Sequence, residues 1–285
     1  MREESRRRNV WLASYPKSGN TWMRLVLTSL RKGGKAVDIN RLADGGEGSL
    51  LSARSLFDRL LDVESSDLSP DEAFQLRPRL WDVAEWGGTP QTIWKVHDIW
   101  ERNADNQPLF PPAVTAASLY LVRDPRDVAV SWAHHRNCDI DSAIAIMADK
   151  DCWGARKAGR MTLQLPQHYS SWSDHVESWL FRSGLDPLVI RYEEMAADLA
   201  AVLRTVTVAL GWSCTPDAIA AAVAATRFER LREQEQREGF IERSPHAATF
   251  FRRGVAGGWR DVLTPDQAAR IERDHEAVMA RLGYL

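Results

Sequence analysis

Four short stretches of the chain are near-continuous apolar runs: Val10 to Ser14, Thr92 to Val96, Ser118 to Val122 and Leu188 to Ile190. Runs of this length, bounded by turn residues, predict strands buried on both faces. Between them the apolar residues change to helical spacing. Trp22, Leu25, Val26 and Leu30 mark a helix over Thr21 to Leu30, a second helix is expected over Arg126 to His135, and Trp172, Val176 and Trp179-Leu180 mark a third within His168 to Phe181. Two or three more helices are expected between Asp198 and Arg232, and a last one over Pro265 to Leu282. That last helix carries its own punctuation: Thr264 as N-cap, Pro265 at the first position, Gln267 to complete a capping box, and Gly283 to stop it.

The remaining segments have weaker patterns. Residues 33 to 90, with Gly33-Gly34 and Gly45-Gly46, read as short helices and surface loops. Residues 137 to 165 show no clear period, and residues 233 to 249 are charged and polar and read as a flexible loop. Strands alternating with helices predict an α/β fold, a single domain over residues 1 to 285 with a central parallel sheet flanked by helices. In such sheets a ligand lies beyond the C-terminal ends of the strands. The polar residues at those four places are Lys17, His97, Arg123 and Tyr192, which predicts one shared site.

Composition narrows the ligand. The 285 residues carry a net charge of −2, so no global field attracts nucleic acid or an anionic membrane, and an anionic ligand needs a local positive cluster. The three cysteines, Cys138, Cys152 and Cys214, are odd in number and form no C-x-x-C pair, which fits a reducing cytoplasm. The charged start, Met1 to Arg8, is followed by no apolar stretch of signal-peptide length, and no run is long enough for a membrane span. His134, His135 and Cys138 fall within five residues of a predicted helix and could not all face one ion well, so no metal site is expected. The 12 tryptophans read mainly as core, with a minority left for an aromatic pocket.

Tyr15-Pro16-Lys17-Ser18-Gly19-Asn20-Thr21-Trp22 joins the first strand to the first helix. A glycine and small polar residues let backbone N–H groups approach an anion, Lys17 adds a point charge, and the helix N-terminus adds its dipole. The G-x-x-x-x-G-K-[ST] pattern of a Walker A loop is absent. The octapeptide resembles the 5′-phosphosulfate loop of cytosolic-type sulfotransferases that use 3′-phosphoadenosine-5′-phosphosulfate (PAPS). Two later segments are similar to that family's signatures in the same order: Tyr120-Leu121-Val122-Arg123-Asp124-Pro125-Arg126-Asp127-Val128-Ala129-Val130-Ser131, and Phe250-Phe251-Arg252-Arg253-Gly254-Val255-Ala256-Gly257-Gly258-Trp259.

The resemblance implies the sulfotransferase fold related to P-loop nucleotide kinases, PAPS as donor, adenosine 3′,5′-bisphosphate (PAP) as product, and no metal. It implies that Lys17 contacts the bridging oxygen, while the amides of Ser18, Gly19, Asn20, Thr21 and Trp22 hold the 5′-phosphate with the Thr21 hydroxyl. Arg123, Ser131, Arg252, Arg253 and the Gly254 amide would hold the 3′-phosphate, with Phe251 in the same signature. Trp22 and Phe228 would sandwich the adenine, with Thr226 and Tyr192 near its edge. The family's K-[TS]-H pattern falls on Lys95-Val96-His97 and implies His97 as general base and Lys95 as a contact to the transferring group. Lys95 and His97 share side-chain parity on a strand. Val96, Asp98-Ile99 and Gly258 depart from the family pattern, and Asp98 is expected to raise the pKa of its neighbour His97. The acceptor is expected to be a small molecule with a hydroxyl or amine, aromatic compounds and specialised metabolites among the candidates, held by loops within residues 40 to 90, 137 to 165 and 233 to 249. A nucleotide-dependent kinase and a non-catalytic nucleotide-binding protein are the competing readings.

Overall fold

The computed structural model describes residues 8–45, 47–83, 91–156, 162–245 and 247–285. The charged start up to residue 7, Gly46, and the parts of the expected acceptor loops at 84–90, 157–161 and 246 lie outside the described residues.

The first strand, β1 (Asn9–Ser14), is buried along its whole length and leads through a tight loop into α1 (Asn20–Arg31). Next come β2 (Glu47–Leu50), the short helices α2 (Arg54–Leu61), α3 (Pro70–Leu76) and α4 (Leu80–Val83), and β3 (Thr92–Val96). β4 (Thr115–Val122) then feeds α5 (Pro125–Arg136) and α6 (Ile140–Ala148). A two-residue ribbon, β5 (Trp153–Gly154) with β6 (Gln167–His168), precedes α7 (Trp172–Glu177) and β7 (Leu188–Arg191). Five helices complete the chain: α8 (Tyr192–Ala197), α9 (Leu199–Ala209), α10 (Pro216–Ala225), α11 (Phe228–Glu238) and α12 (Pro265–Arg281).

The five-stranded sheet has the order β2-β3-β1-β4-β7, and each neighbouring pair is parallel. β1 lies in the middle, between two strands that come later in the chain. The crossovers therefore leave it on both sides and open a crevice beyond its C-terminal end. Alternation along the strands sorts the core into two layers. Trp11, Ala13, Trp94, Val96, Tyr120 and Val122 pack with Val128, Trp172, Val176 and Val278. Val10, Leu12, Ile93, Leu119, Leu121 and Ile190 pack with Met23, Val26, Leu203 and Ile219 on the opposite face. Trp11, Trp94, Trp172 and Trp179 are among the largest fully buried side chains, as expected for core tryptophans.

The four strands and the last helix predicted from sequence are present, and the Thr264–Gln267 capping box forms reciprocally. Three features differ from the expectation. β2 was not expected within residues 33 to 90, because it is an edge strand of four residues. α6 lies inside the stretch without a clear period; it is apolar on most sides, and its start is marked only by Asp139, whose carboxylate accepts from the Ser142 amide. The polar stretch 233 to 249 is not all loop: α11 runs on to Glu238 with Leu231 and Glu235 buried. The buried Glu235 carboxylate accepts the amide N–H groups of Phe250 (2.7 Å) and Phe251 (2.9 Å), which ties the following segment back onto the helix. Acidic residues with an internal hydrogen-bonding role look like surface residues in a sequence.

Candidate active site

The loop after β1 is shaped by two residues with positive φ, Lys17 at 75° and Gly19 at 98°. A side chain at Gly19 would strike the Tyr192 ring, where a Cβ would sit 2.8 Å from Cδ2. The glycine thus lets the loop lie against β7's following turn while it caps α1. Asn20 braces the loop from below, donating from Nδ2 to the Leu12 carbonyl (2.9 Å) and Ser14 Oγ (3.2 Å). The Ser18 hydroxyl and Asn20 Oδ1 are buried without a hydrogen-bond partner. The unsatisfied Ser18 hydroxyl at this helix N-terminus is a donor that an anion held by the helix would accept from. Lys17 lies over the Phe250 ring at 4.7 Å, and burial, followed by the charges of Lys95 and Arg123, lowers its pKa to about 7.

The end of β3 places Lys95 and His97 at the same crevice. His97 Nδ1 lies 2.9 Å from the Ser14 carbonyl oxygen. A carbonyl only accepts, so Nδ1 carries the proton and Nε2 keeps its lone pair. Burial, then the positive charge of Lys95, pushes the His97 pKa well below the usual histidine range, so the ring is neutral near pH 7. Burial also lowers the Lys95 pKa, and the neighbouring Glu242 opposes that shift.

Asp98 does not act on His97 as expected. Its carboxylate is buried and paired bidentately with Arg77 at 2.6 and 2.8 Å, and the His97 pKa moves down rather than up. The sequence offers no local sign of this pairing, because Arg77 lies 21 positions away in a segment read as loops and short helices. The adjoining backbone is pinned as well. His175, which accepts from the Tyr120 hydroxyl at 2.8 Å, donates from Nε2 to the His97 carbonyl at 3.1 Å, and Trp179 Nε1 donates to the Asp98 carbonyl at 2.9 Å. His175, fully buried, was read from sequence only as part of a helix; its place against β4 and β3 is a tertiary fact.

Arg123, Arg252 and Arg253 form a cluster of like charge. Arg123 follows β4, stacks 4.0 Å from the Tyr192 ring centroid, donates to the Val255 carbonyl at 2.9 Å, and keeps its Nε buried and unpartnered. Burial, then Arg253 and Arg123, lowers the Arg252 pKa, with only Asp127 acting the other way. The C-terminal signature is drawn to α5 by Asp127, whose two oxygens accept the Gly257 amide at 2.6 Å and the Trp259 amide at 2.9 Å. Gly254, with φ 66°, lies where a Cβ would run into the Phe228 ring, so its backbone closely abuts that aromatic face. Ser131 sits half-buried on α5.

The residues expected around the adenine, Trp22, Phe228, Thr226 and Tyr192, lie near one another. Trp22 and Phe228 both flank the apolar cluster of Leu25, Leu231, Phe240 and Phe251. Trp22 Nε1 donates to the Thr226 carbonyl at 3.1 Å and its ring meets Tyr192 edge-on at 5.9 Å. The Thr226 hydroxyl is fully buried and donates to the Ala222 carbonyl at 2.8 Å, and the Phe251 ring is buried in the cluster itself.

Two groups at the centre were not singled out from sequence. Arg24, 1% exposed, projects from α1, and Glu242 comes from the segment after α11. Glu242 bonds Arg24 Nη1 at 2.7 Å and Lys95 Nζ at 3.0 Å. The one local signal was an arginine inside the apolar run Trp22 to Leu27 of α1.

Around His97 lie Tyr169, at 6.4 Å between ring centroids, and Trp132, 6.1 Å from Tyr169 and 6.0 Å from Tyr15. The Tyr15 hydroxyl and Trp132 Nε1 are buried without partners. Among the described residues no group of three or more His, Cys, Asp or Glu side chains is arranged to hold a metal ion, and no helix is long and apolar enough to cross a membrane.

Comparison with known proteins places this geometry in context. The sulfotransferase domain family model matches residues 109–283, more than half of the chain. The 3-beta-hydroxysteroid sulfotransferase of Cavia porcellus is 27% identical over 183 residues, covering 62% of this chain and 61% of that protein. Sulfotransferase 2B1 of Homo sapiens is 24% identical, over 95% of this chain and 66% of that protein. The chain thus spans less than two thirds of the length of these two relatives. Among solved structures, retinol dehydratase in a complex with retinol and PAP matches with a TM-score of 0.62 at 20% identity, over 96% of this chain and 82% of the other. At that identity the likeness is one of fold.

Proposed function

Because the chain belongs to the sulfotransferase domain family, we propose that residues 1 to 285 form a single catalytic domain that moves a sulfuryl group from PAPS to a hydroxyl or amine of a small molecule. The carrying observation is the excess of positive charge at the strand ends. Burial, and then the neighbouring charges of Lys95 and Arg123, lowers the Lys17 pKa to about 7. Such crowding is relieved by a bound polyanion, which favours the charged form of the lysines.

The residues present fit PAPS. Lys17, the amides from Ser18 to Trp22 and the orphaned Ser18 hydroxyl would hold the 5′-phosphosulfate end. Arg123, Arg252 and Arg253, with Ser131 and the Gly254 amide, would hold the 3′-phosphate, where guanidinium forks match phosphate oxygens. Trp22 and Phe228 would take the adenine. Bound PAPS supplies the sulfuryl group and departs as PAP, so the reaction is a single substitution at sulfur.

The chain's own part is proton handling, charge and exclusion of water. With its proton on Nδ1 held by the Ser14 carbonyl, neutral His97 presents Nε2 to the acceptor hydroxyl and takes its proton as oxygen attacks sulfur. General-base help of this kind contributes roughly 10²- to 10⁴-fold. Lys17 and Lys95 oppose the negative charge that grows on the oxygens of the transferring and leaving groups. The aromatic surround of Tyr15, Trp132 and Tyr169 favours a flat or alicyclic apolar acceptor, and the unpartnered Tyr15 hydroxyl and Trp132 Nε1 favour one with a second oxygen. The name of the guinea-pig relative agrees with an alicyclic alcohol. Cytoplasmic residence belongs to the same proposal and is supported by three free thiols.

Calorimetry with PAP and with adenosine 5′-monophosphate tests the donor assignment. PAP is expected to bind at least tenfold more tightly, as one charge-assisted contact of about 1.5–3 kcal/mol requires. Equal affinity would remove the 3′-phosphate from the account.

A further inference from the structure

Resting on the sulfotransferase reading, we propose that Glu242 is a positioning residue for the transfer site: its carboxylate, clamped by Arg24, holds Lys95 in place and charged, and so makes the segment after α11 part of the catalytic apparatus.

The geometry is specific. Glu242 lies 147 positions beyond Lys95 in the chain, yet its Oε2 is 3.0 Å from Lys95 Nζ, and Oε1 is 2.7 Å from Arg24 Nη1. Lys95 lies on β3, Arg24 on α1 and Glu242 on the segment leaving α11, so one carboxylate joins three elements. Arg24 also donates to the second oxygen of Glu242, at 3.0 Å, which fixes the plane of the carboxylate rather than one atom of it. The segment itself is held at both ends. Asn40 donates to the Gly239 carbonyl at 3.1 Å and accepts from the Ile241 amide at 2.8 Å, while Glu235 holds the amides of Phe250 and Phe251. Glu242 is thus delivered by a braced loop, and the same loop lays Phe250 over Lys17.

Among the described residues, the titratable groups facing Lys95 are Lys17 from the loop after β1, Arg24 from α1, His97 two residues along its own strand, His135 from α5 and Glu242, with both histidines neutral near pH 7. Four of these five are basic groups, and Glu242 is the one carboxylate among them. It raises the pKa of Lys95, and it also acts in the same sense on Lys17 and His97. A lysine buried among other bases without a counter-charge gives up its proton. A neutral Lys95 could neither attract the sulfuryl oxygens nor hold its direction.

The experiment is the pH profile of kcat for Glu242→Gln and Glu242→Asp. In wild type the alkaline limb reports loss of a proton from the lysines. Removing the carboxylate lowers the pKa of Lys95 and of Lys17, so in Glu242→Gln that limb moves to lower pH by about one unit or more, the size expected for an opposite charge in direct contact. kcat at pH 8 falls about tenfold or more with it. Glu242→Asp recovers part of the shift. Because Glu242→Gln removes a counter-charge of buried Arg24, the double variant Arg24→Met/Glu242→Gln guards against misfolding. Glu242 raises the Lys95 pKa more than Arg24 lowers it, so the limb of the double variant still moves down, by less.

An unmoved alkaline limb in a folded variant would overturn the proposal. So would a kcat above wild type, which would make Glu242 an internal block that PAPS displaces. Lys95 acetylation by acetic anhydride, followed by peptide mass spectrometry, reads the same pKa without turnover: it should speed up in Glu242→Gln at fixed pH. If no acceptor is ever sulfated but Lys95 labelling responds in this way, the activity assignment has failed and the Glu242–Lys95 coupling has not.

Discussion

Replacing Arg77 by methionine strands the Asp98 carboxylate next to His97, and the cost follows from the burial of the pair. The side chains are 3% and 2% exposed, joined by two hydrogen bonds of 2.6 and 2.8 Å. Breaking a buried pair by removing one partner costs about 3–5 kcal/mol, because the remaining charge has neither water nor a partner. For a domain of this size each kcal/mol lowers Tm by roughly 2–4 °C, so Arg77→Met is expected to melt roughly 6–20 °C below wild type. Arg77→Met/Asp98→Leu removes both charges and is expected to regain most of the loss, since apolar replacement of a buried pair is often near neutral. Urea denaturation followed by tryptophan fluorescence gives the free energies, and the double-mutant cycle isolates the coupling. Turnover of Arg77→Met is expected to fall even far below its melting temperature, because the Arg77–Asp98 pair anchors the backbone next to His97. A single variant within 1 kcal/mol of wild type would refute the reasoning, and so would a double variant no better than the single.

Other consequences are as direct. Since Lys17 is charged only below its pKa of about 7, kcat/KM should be level below that pH and fall up to tenfold per unit above it, with the kcat limb displaced upward once donor phosphates restore the charge; superimposed limbs in the two profiles would contradict this. Arg252→Ala should lose most of the preference for PAP over adenosine 5′-monophosphate in calorimetry while keeping its fold, as a half-buried cation among cations. Gly254→Ala should weaken PAP binding, because its φ of 66° is strained for alanine and its methyl would meet the Phe228 ring; unchanged affinity would separate this turn from the site. EDTA should leave turnover unaltered, and rescue by Mg²⁺ alone would favour a nucleotide kinase.

Much of this arrangement was written in local pattern. Continuous apolar runs revealed the four main strands because both faces of the sheet are covered, and their ends pointed to Lys17, His97, Arg123 and Tyr192. The capping box at Thr264 was legible because every member lies within four residues. What escaped were relations between distant residues. Asp98 beside His97 suggested a charge coupling, but Arg77 claims the carboxylate. Glu235 and Glu242 read as surface acids in a polar stretch, and only the fold reveals that one binds backbone amides and the other two buried cations. β2 and α6 escaped for a different reason: a four-residue edge strand and a helix covered on most sides carry little periodicity.

The central claim is sulfuryl transfer with His97 as base, and one measurement addresses it most directly. Purified protein is incubated with PAPS and a panel of phenols, alicyclic alcohols and amines, and products are read by mass spectrometry for gain of one sulfuryl group with equimolar PAP. Wild type should sulfate at least one acceptor, and His97→Ala should lose turnover about 10²-fold or more while binding PAP as wild type does. Undiminished transfer by His97→Ala, or PAP formed without any sulfated product, would contradict the account.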